Sequence, residues 1–349
     1  MGAATAITEP SEPSADTITA DRIFEITNGF KSAKVLFSAV ELGVFTALAT
    51  GPLDLDMLTA EIGISKRGAR DFFDALVALR LVERDSCGRY RNTTETDCYL
   101  DRRKPTYIGG ELDYFNLRGY PHWHFLTTAL RTGKAQSEAS AGDYFSSLYA
   151  DSRALEFFAK AMTTANVLAG PAIAAKFPWH KYTTMLDVGT AQGCLPVQIA
   201  QAHPHITGGG FDLPAMQPLF ESYVRGHRLD HRLRFHAGDF MRDPLPSADV
   251  LVFGRVLHNW DLGTKKALLK KAHDALPAGG AVIVFERLID DERKLGVGGL
   301  LASLHMLIMT DGGFDFSAAE CTGWMLEAGF RAPTVTPLTS THSMVAGIK

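Results

Sequence analysis

The chain has 349 residues, 46% of them hydrophobic, and its 35 Lys+Arg against 39 Asp+Glu give a formal charge of −4. This length is typical of two globular domains, and the slight negative charge offers no electrostatic reason for binding nucleic acid. The four scattered cysteines exclude a disulfide scaffold, and the longest apolar stretch, Leu300–Met309, is too short for a membrane span, so we expect a cytoplasmic protein with no membrane contact.

Residues 1–18 are small, polar and acidic, and we predict a flexible tail there. Helical periodicity dominates residues 19–105, where apolar residues recur at helix spacing in three stretches, 35–48, 56–62 and 65–81. Ser65 stands where the N-cap of the third helix is expected. The turn residues Ser86–Gly88 lie between polar, strand-like flanks and predict a hairpin. Three helices and a hairpin describe a winged helix.

The charges and apolar residues of this winged helix indicate whether it binds DNA or another protein chain. The third helix carries Arg67 but also Asp71 and Asp74, and such a mixed face suits solvent or a protein at least as well as phosphates. Phe30 and Phe37 belong to an apolar set that exceeds the needs of one small three-helix module. We therefore predict a dimerisation domain, and hence a homodimer, rather than a DNA-binding domain.

In the rest of the chain, the sequence pattern changes once, from helical to alternating strands and helices after residue 177. Residues 106–177 are helical and rich in aromatic side chains, and we predict a linker that also lines a substrate pocket. Over residues 178–349 apolar runs alternate with helical stretches, and the runs are predicted strands at 184–188, 208–213, 232–237, 248–253 and 281–286. This alternation predicts an α/β domain with a Rossmann-like, mostly parallel, doubly wound sheet.

Three consecutive strand ends carry groups suited to a nucleoside. Gly189 and Gly193 follow the first strand and precede a helix, where missing side chains let a ligand lie against the backbone. Asp212 ends the second strand, a place from which a carboxylate accepts hydrogen bonds from ribose hydroxyls. Asp239, just beyond the third strand, is placed to accept a bond from an adenine amino group while Phe240 packs on the ring.

A histidine and a carboxylate end the next two strands. His258 follows the fourth strand, at the carboxyl edge of the sheet, and is the group there whose ordinary pKa lies near neutrality. Glu286 ends the fifth strand, beside the fourth, where a carboxylate holds the imidazole tautomer and stabilises its protonated form. The pattern predicts a general base.

Taken together, these motifs resemble those of the S-adenosylmethionine-dependent small-molecule O-methyltransferases of the caffeic acid and hydroxyindole type. The resemblance covers nearly the whole chain, including the winged domain, which in that family forms an intertwined dimer. The motifs that carry it are LDVGTAQG (186–193), FDLP (211–214), GDF (238–240), RVLHNW (255–260), AGG followed by VIVFE (278–286) and EAGF (327–330).

The resemblance implies roles for individual residues. His258 is the implied catalytic base, assisted by Glu286. Three features depart from the family. The usual Gly-rich triplet of the first turn is Gly-Thr-Ala here (189–191), and Asn259 replaces the Asp that usually follows the histidine. Asp315 occupies the place of a second supporting Glu, with a shorter reach. The residues implied to touch the cofactor, S-adenosyl-L-methionine, are Gly189, Asp212, Leu213, Gly238, Asp239, Phe240 and Arg255.

The resulting hypothesis is an O-methyl transfer to a small aromatic substrate. His258 takes the proton from a hydroxyl, phenolic in our expectation, as the oxygen attacks the methyl group in line, and no metal is required. His305 lies in an apolar helix, so a core position fits it as well as a substrate contact does. The residues predicted to line the acceptor pocket are Phe158, Met162, His305, Met306 and Met309.

Three alternatives remain open at this point. The same fold can be redirected to decarboxylation or hydroxylation with the cofactor kept as a structural element, although His258 argues against this. A winged-helix regulator that senses a nucleoside is a second reading. An NAD oxidoreductase is weaker, because the first turn, Gly189 to Gly193, lacks the dinucleotide fingerprint.

Overall fold

The computed structural model describes residues 18–137 and 148–349, and its internal contacts divide the chain after Thr93 into two compact units. The first 17 residues of the predicted tail lie outside the described residues. None of the described helices is both long and apolar enough to span a membrane. All four cysteines carry free thiols.

From residue 18 onward, the first unit contains four helices and a two-stranded antiparallel hairpin, one helix more than the three predicted. Its core includes fully buried Phe45, Leu58, Phe73 and Leu76, each of which contributes about 1.5–3 kcal/mol by leaving water. The elements are α1 (Asp21–Glu41), α2 (Val44–Leu48), α3 (Leu55–Glu61), α4 (Ala69–Ala78), β1 (Val82–Arg84) and β2 (Tyr90–Asn92).

Two details of the predicted helices are wrong. The first stretch is interrupted after Leu42, because Gly43 adopts φ 74° and begins α2 in the left-handed region. Ser65 is not an N-cap: its hydroxyl accepts a bond from the Arg67 amide in a turn, and α4 begins four residues later, after Gly68. The apolar periodicity of this stretch identified the buried residues Ala69, Phe73 and Leu76, whereas Leu79 of the same pattern is 38% exposed. It gave the wrong helix start, because a serine caps a turn as readily as a helix.

The second unit begins with helices that precede the sheet. Asp151 caps the longest of them by accepting bonds from the amides of Arg153 and Ala154. These helices are α5 (Thr94–Leu100), α6 (Gly109–Tyr114), α7 (Tyr120–His122), α8 (Leu126–Thr132), α9 (Ser152–Asn166) and α10 (Ala169–Lys176), with a π-turn at Phe115–Gly119 and a 3-10 turn at Trp123–Phe125.

A seven-stranded sheet forms the centre of the second unit, in the order β5-β4-β3-β6-β7-β9-β8. Its strands are β3 (Thr184–Val188), β4 (Thr207–Asp212), β5 (Leu233–Ala237), β6 (Val250–Gly254), β7 (Ala281–Glu286), β8 (Arg331–Pro337) and β9 (Ser343–Ile348). The five predicted strands are parallel to one another, which confirms the doubly wound fold. The order reverses between β3 and β6, and this switch point is where such sheets bind ligands.

Five helices cover or follow these strands. They are α11 (Cys194–Ala202), α12 (Gln217–Gly226), α13 (Leu262–Ala275), α14 (Val297–Met309) and α15 (Ala318–Ala328). The core on one side of the sheet joins apolar residues of the central strands with Leu268, Leu269 and Trp324 from α13 and α15. Strands β6 and β7 are buried along nearly their whole length, as expected for the centre of a parallel sheet.

The glycine-rich β4 has a steric explanation. Gly208 adopts φ 134°, and a Cβ there would lie 1.8 Å from the carbonyl oxygen of Met185 in the neighbouring strand. A side chain is therefore excluded, although the strand pairs regularly with β3 and β5. The final hairpin, β8 and β9, was not predicted from the sequence; β9 pairs antiparallel with β7 and extends the sheet.

Candidate active site

A cavity of about 470 Å³ opens at the carboxyl ends of β3, β4 and β6, within the second unit. Its size is ordinary for a small-molecule site, for which roughly 300–1,000 Å³ is typical. The cavity brings together residues that are far apart in sequence. The predicted site residues that line it are Gly189, Asp212, Leu213, Asp239, Phe240, Arg255, His258, Phe158, Met162, His305, Met306 and Met309.

Asp212 is the most strongly held polar group of this cavity. Its carboxylate accepts hydrogen bonds from the amides of Ala191 (2.9 Å) and Leu213 (2.8 Å) and from the Tyr149 hydroxyl (2.7 Å). Burial raises the pKa of Asp212, although these three bonds oppose the rise. Gly189 precedes this point in a turn with φ 73°, and its amide donates to Phe211 O at 2.8 Å. The arrangement presents a carboxylate beside a bare backbone turn.

The GDF motif forms the next part of the wall. Asp239 caps the following turn by accepting a bond from the Met241 amide at 2.8 Å, and Phe240 packs edge-on against Trp260 with ring centroids 5.9 Å apart. Gly238 does not line the cavity: a Cβ there would lie 2.6 Å from the Phe211 ring, so the glycine makes room for that packing.

Arg255 enters the cavity wall from an unusual backbone conformation. Its φ is 57°, which costs a non-glycine residue roughly 1–2 kcal/mol. The guanidinium pairs with Glu111 at 3.2 Å, and Glu111 also pairs with Arg287 at 3.3 Å. Glu111 is 14% exposed, so this ion network is largely removed from water. Sequence reasoning missed Glu111 and Arg287.

His258 lies between two buried carboxylates. Its Nδ1 is 3.5 Å from Glu286 Oε2 and 3.4 Å from Asp315 Oδ1, and its backbone amide donates to Glu286 Oε1 at 3.3 Å. Glu286 and Asp315 stand behind the imidazole rather than in the cavity wall. Burial would lower the pKa of His258, but the two carboxylates outweigh it and raise that pKa. Burial raises the pKa of Glu286 to about 7.

The predicted acceptor residues surround the cavity on the side of α9 and α14. His305 stacks parallel to Trp123 and meets the edge of Phe115, with centroids 6.4 and 5.6 Å apart. Burial lowers the pKa of His305 to about 4, so the ring is neutral at pH 7. Among the described residues no partner reaches its Nδ1. Phe115 and Tyr149 lie in the aromatic-rich segment 106–177 that was predicted to line the pocket; the contact of Tyr149 with Asp212 was missed because it crosses 63 residues.

The sheet has a cavity of a size that suits a nucleoside at its switch point, and a histidine backed by two carboxylates lines that cavity. These features define the class of protein: an enzyme that uses a nucleoside cofactor. The sequence matches the O-methyltransferase domain over residues 123–331 and the O-methyltransferase dimerisation domain over residues 24–102. The chain therefore belongs to the S-adenosylmethionine-dependent O-methyltransferase family, as the resemblance implied.

Individual relatives agree with this membership. The chain is 42% identical over 327 residues to the tetracenomycin polyketide synthesis 8-O-methyl transferase TcmO of Streptomyces glaucescens, which covers 94% of this chain and 96% of that one. It is 36% identical to the N,N-dimethyltransferase OxyT of Streptomyces rimosus, over 91% and 93% of the two chains. The crystal structure of human N-acetylserotonin methyltransferase with SAM superposes with a TM-score of 0.88, at 28% identity, over 96% and 99%.

The cavity fits the family's cofactor. Asp212 offers its carboxylate where a ribose binds in such folds, and the Gly189 turn leaves its backbone uncovered beside it. Phe240 and Asp239 add an aromatic face and an acceptor suited to a purine. The protein is thus an S-adenosylmethionine-dependent O-methyltransferase of the secondary-metabolite and hydroxyindole type.

Proposed function

We propose that this enzyme methylates a phenolic hydroxyl of a small aromatic metabolite and that His258 is its general base. The position of His258 carries the proposal: the ring lines the cavity while Nδ1 faces Glu286 and Asp315. This geometry favours the tautomer with its proton on Nδ1 and leaves the Nε2 lone pair to accept a proton. No other described residue combines an imidazole, the cavity wall and two carboxylate neighbours.

The reaction then needs little more than proton transfer and alignment. S-adenosylmethionine, when bound, would supply a methyl group on a sulfonium, whose carbon–sulfur bond breaks to release a neutral thioether, a good leaving group. A phenol with a pKa near 10 is mostly neutral at pH 7, so His258 makes it nucleophilic by taking its proton. Glu286 and Asp315 stabilise the imidazolium that results. Holding the acceptor in place contributes up to roughly 7–11 kcal/mol, and the base about 10²–10⁴-fold.

The cofactor residues divide by how they act in this proposal. Asp212 accepts the ribose hydroxyls, and Asp239 and Phe240 receive the adenine. The Gly189 turn, Leu213 and Arg255 complete the wall, whereas Gly238 acts indirectly by admitting the Phe211 ring. We further propose that no metal takes part. The nitrogen of His258 and the carboxylate oxygens of Glu286 and Asp315 lie within 4.8 Å of one another, but in this proposal they serve proton transfer and its stabilisation.

The pH dependence of turnover tests the base. Because the carboxylates raise the pKa of His258 above its ordinary 6.5, the imidazole stays protonated, and unable to accept a proton, to a higher pH. We expect kcat/KM to fall about tenfold per pH unit below a midpoint that lies above 6.5. A profile flat from pH 5 to 8 in a protein that stays folded would contradict the assignment.

Acceptor binding involves Phe158, Met162, Met306, Met309 and His305, and His305 is the polar member of this set. The ring is neutral and its Nδ1 has no partner among residues 18–137 and 148–349, so it offers one hydrogen bond to a polar group of the substrate. We expect His305→Phe to raise the KM for the acceptor about fivefold, since one lost hydrogen bond costs about 1 kcal/mol. The affinity for S-adenosylhomocysteine stays unchanged.

Steady-state kinetics with the acceptor varied check this result. His122→Phe is the matched control, because the His122 ring is bonded to the Arg118 carbonyl and does not line the cavity. An unchanged acceptor KM in His305→Phe would assign His305 to packing alone.

We also propose that the protein forms a homodimer through residues 19–105. The exposed face of α1 supports this, because Ile23, Ile26 and Phe30 recur at helix spacing and remain 68%, 65% and 56% exposed in the single chain. Apolar residues clustered in this way mark a protein–protein interface. The dimerisation-domain match over residues 24–102 agrees with this surface.

Charging that surface tests the homodimer. In the double variant Ile26→Glu/Phe30→Glu, we expect the mass measured by light scattering to fall from twice the chain mass to the chain mass, since two buried carboxylates would be desolvated at the interface. Asn28→Glu adds a single negative charge on the opposite side of α1 and leaves the dimer intact. A dimer that survives the double variant would place the interface elsewhere.

A further inference from the structure

Lys265 is a buried lysine close to the catalytic histidine. It lies in the first turns of α13, and its exposed fraction is 0%. A buried ammonium is costly unless other groups replace its water, so its surroundings need an explanation. The position in the helix does not by itself explain the burial, because the side chain of the next residue, Lys266, is 40% exposed and pairs with Glu327 at the surface.

The contacts of Lys265 join two segments of the active site. Its Nζ donates a hydrogen bond to the carbonyl oxygen of Trp260, two residues beyond His258. The same Nζ lies 3.3 Å from the centroid of the Phe314 ring, a close cation–π contact, and 5.6 Å from that of Phe316. Phe314 and Phe316 flank Asp315. One side chain therefore fastens the turn that carries His258 to the segment that carries Asp315.

Lys265 also balances the charge of the carboxylates. Burial lowers the pKa of Lys265 to about 8, against the attraction of Glu286 and Asp315, so the group remains largely charged at pH 7. When Glu286, whose pKa is about 7, is ionised together with Asp315 and His258 is neutral, two negative charges face one ammonium; protonation of His258 then brings the four groups to a net charge of zero. The other titratable or charged groups that act on these four are Asp261, Glu320, Arg255, Arg287, Cys321, His305 and His342.

We propose that Lys265 is a positioning residue of this active site: it holds the His258 turn against the Asp315 segment, and its charge keeps the two carboxylates from fixing a proton on His258. The inference rests on the proposed function of His258 as the base. It adds a residue that does not line the cavity and acts on the reaction only through the histidine.

The experiment is a direct titration of His258 by NMR, with labelled histidine in the full-length protein. The His258 signal is the one missing from His258→Gln. In Lys265→Met, which keeps an unbranched apolar side chain and removes the charge, we expect the midpoint of His258 to rise by about one pH unit, because a neighbouring positive charge is lost. The midpoint of the fall of kcat/KM at low pH moves to higher pH by the same amount, while the affinity for S-adenosylhomocysteine is retained.

Lys266→Met is the matched control and leaves the midpoint unchanged. If Lys265→Met does not fold, Lys265→Gln keeps a donor for the Trp260 carbonyl without the charge and is titrated instead. An unchanged midpoint in either folded variant would overturn the proposal. A raised midpoint in a protein that methylates no phenol would support Lys265 and overturn the proposed function, so the two failures are distinguishable.

Discussion

His258→Gln is expected to lower kcat by about 10²–10⁴-fold while the dissociation constant for S-adenosylhomocysteine changes less than threefold. The glutamine keeps a polar side chain of similar volume beside Glu286 and Asp315, but it cannot accept and hold the proton of a phenol at neutral pH. Because removal of the phenol proton accompanies methyl transfer, we expect the loss in the chemical step. Single-turnover kinetics with saturating cofactor measure that step directly.

His227→Gln is the matched control for this variant. His227 bonds to Gln201 on the surface and does not line the cavity, so the same substitution leaves turnover unchanged. Full activity in His258→Gln would remove the general base from the account. Loss of cofactor binding together with activity would instead report a disturbed fold.

The second large effect is expected at Asp212. In Asp212→Asn we predict that the dissociation constant for S-adenosylhomocysteine rises about 10–100-fold, because hydrogen bonds to a charged group contribute about 1.5–3 kcal/mol and the amide accepts them less well. The side chain keeps its volume, but its NH2 group must face the backbone amide of either Ala191 or Leu213, both of which are donors, so the loss includes one broken bond to the turn. Calorimetric titration of the folded variant measures the change, with NAD as a ligand that neither protein should bind.

Tyr149→Phe separates the contribution of the Asp212 carboxylate to cofactor affinity from that of the Tyr149 hydroxyl. It removes the hydroxyl that bonds to Asp212 at 2.7 Å and leaves the carboxylate in place. We expect its affinity for S-adenosylhomocysteine to stay within about threefold of the wild type, and Asp274→Asn, at the surface, to behave as the wild type. Unchanged affinity in Asp212→Asn would mean that the ribose binds elsewhere.

The parts of this molecule that follow from local pattern were predictable. Five strands alternate with helices, and the carboxyl ends of parallel strands must meet at one edge. The convergence of Asp212, Asp239, His258 and Glu286 therefore follows from their positions at or after the ends of those strands. Asp315 was predictable only through the family resemblance, because it belongs to no predicted strand. The structure places it 3.4 Å from His258 Nδ1 despite its shorter side chain.

What could not be predicted depends on contacts across long sequence separations. Tyr149 and Asp212 are 63 residues apart, Glu111 and Arg287 are 176 apart, and no periodicity connects either pair. Lys265 has the local pattern of any helical lysine, and only the folded positions of Phe314 and Trp260 reveal its role. The predicted start of α4 was wrong for a local reason, because a serine such as Ser65 forms the same side-chain bond in a turn as at the start of a helix.

The central claim is O-methylation of a phenol with His258 as base, and the relationship to an N,N-dimethyltransferase makes nitrogen the competing acceptor. The most direct measurement is transfer of a labelled methyl group from S-adenosylmethionine to polycyclic and indolic phenols, each paired with the amine that replaces its hydroxyl. We predict labelled aryl methyl ethers from the phenols, lost in His258→Gln. Label recovered on the amines alone, or ether formation undiminished in His258→Gln, would contradict the account.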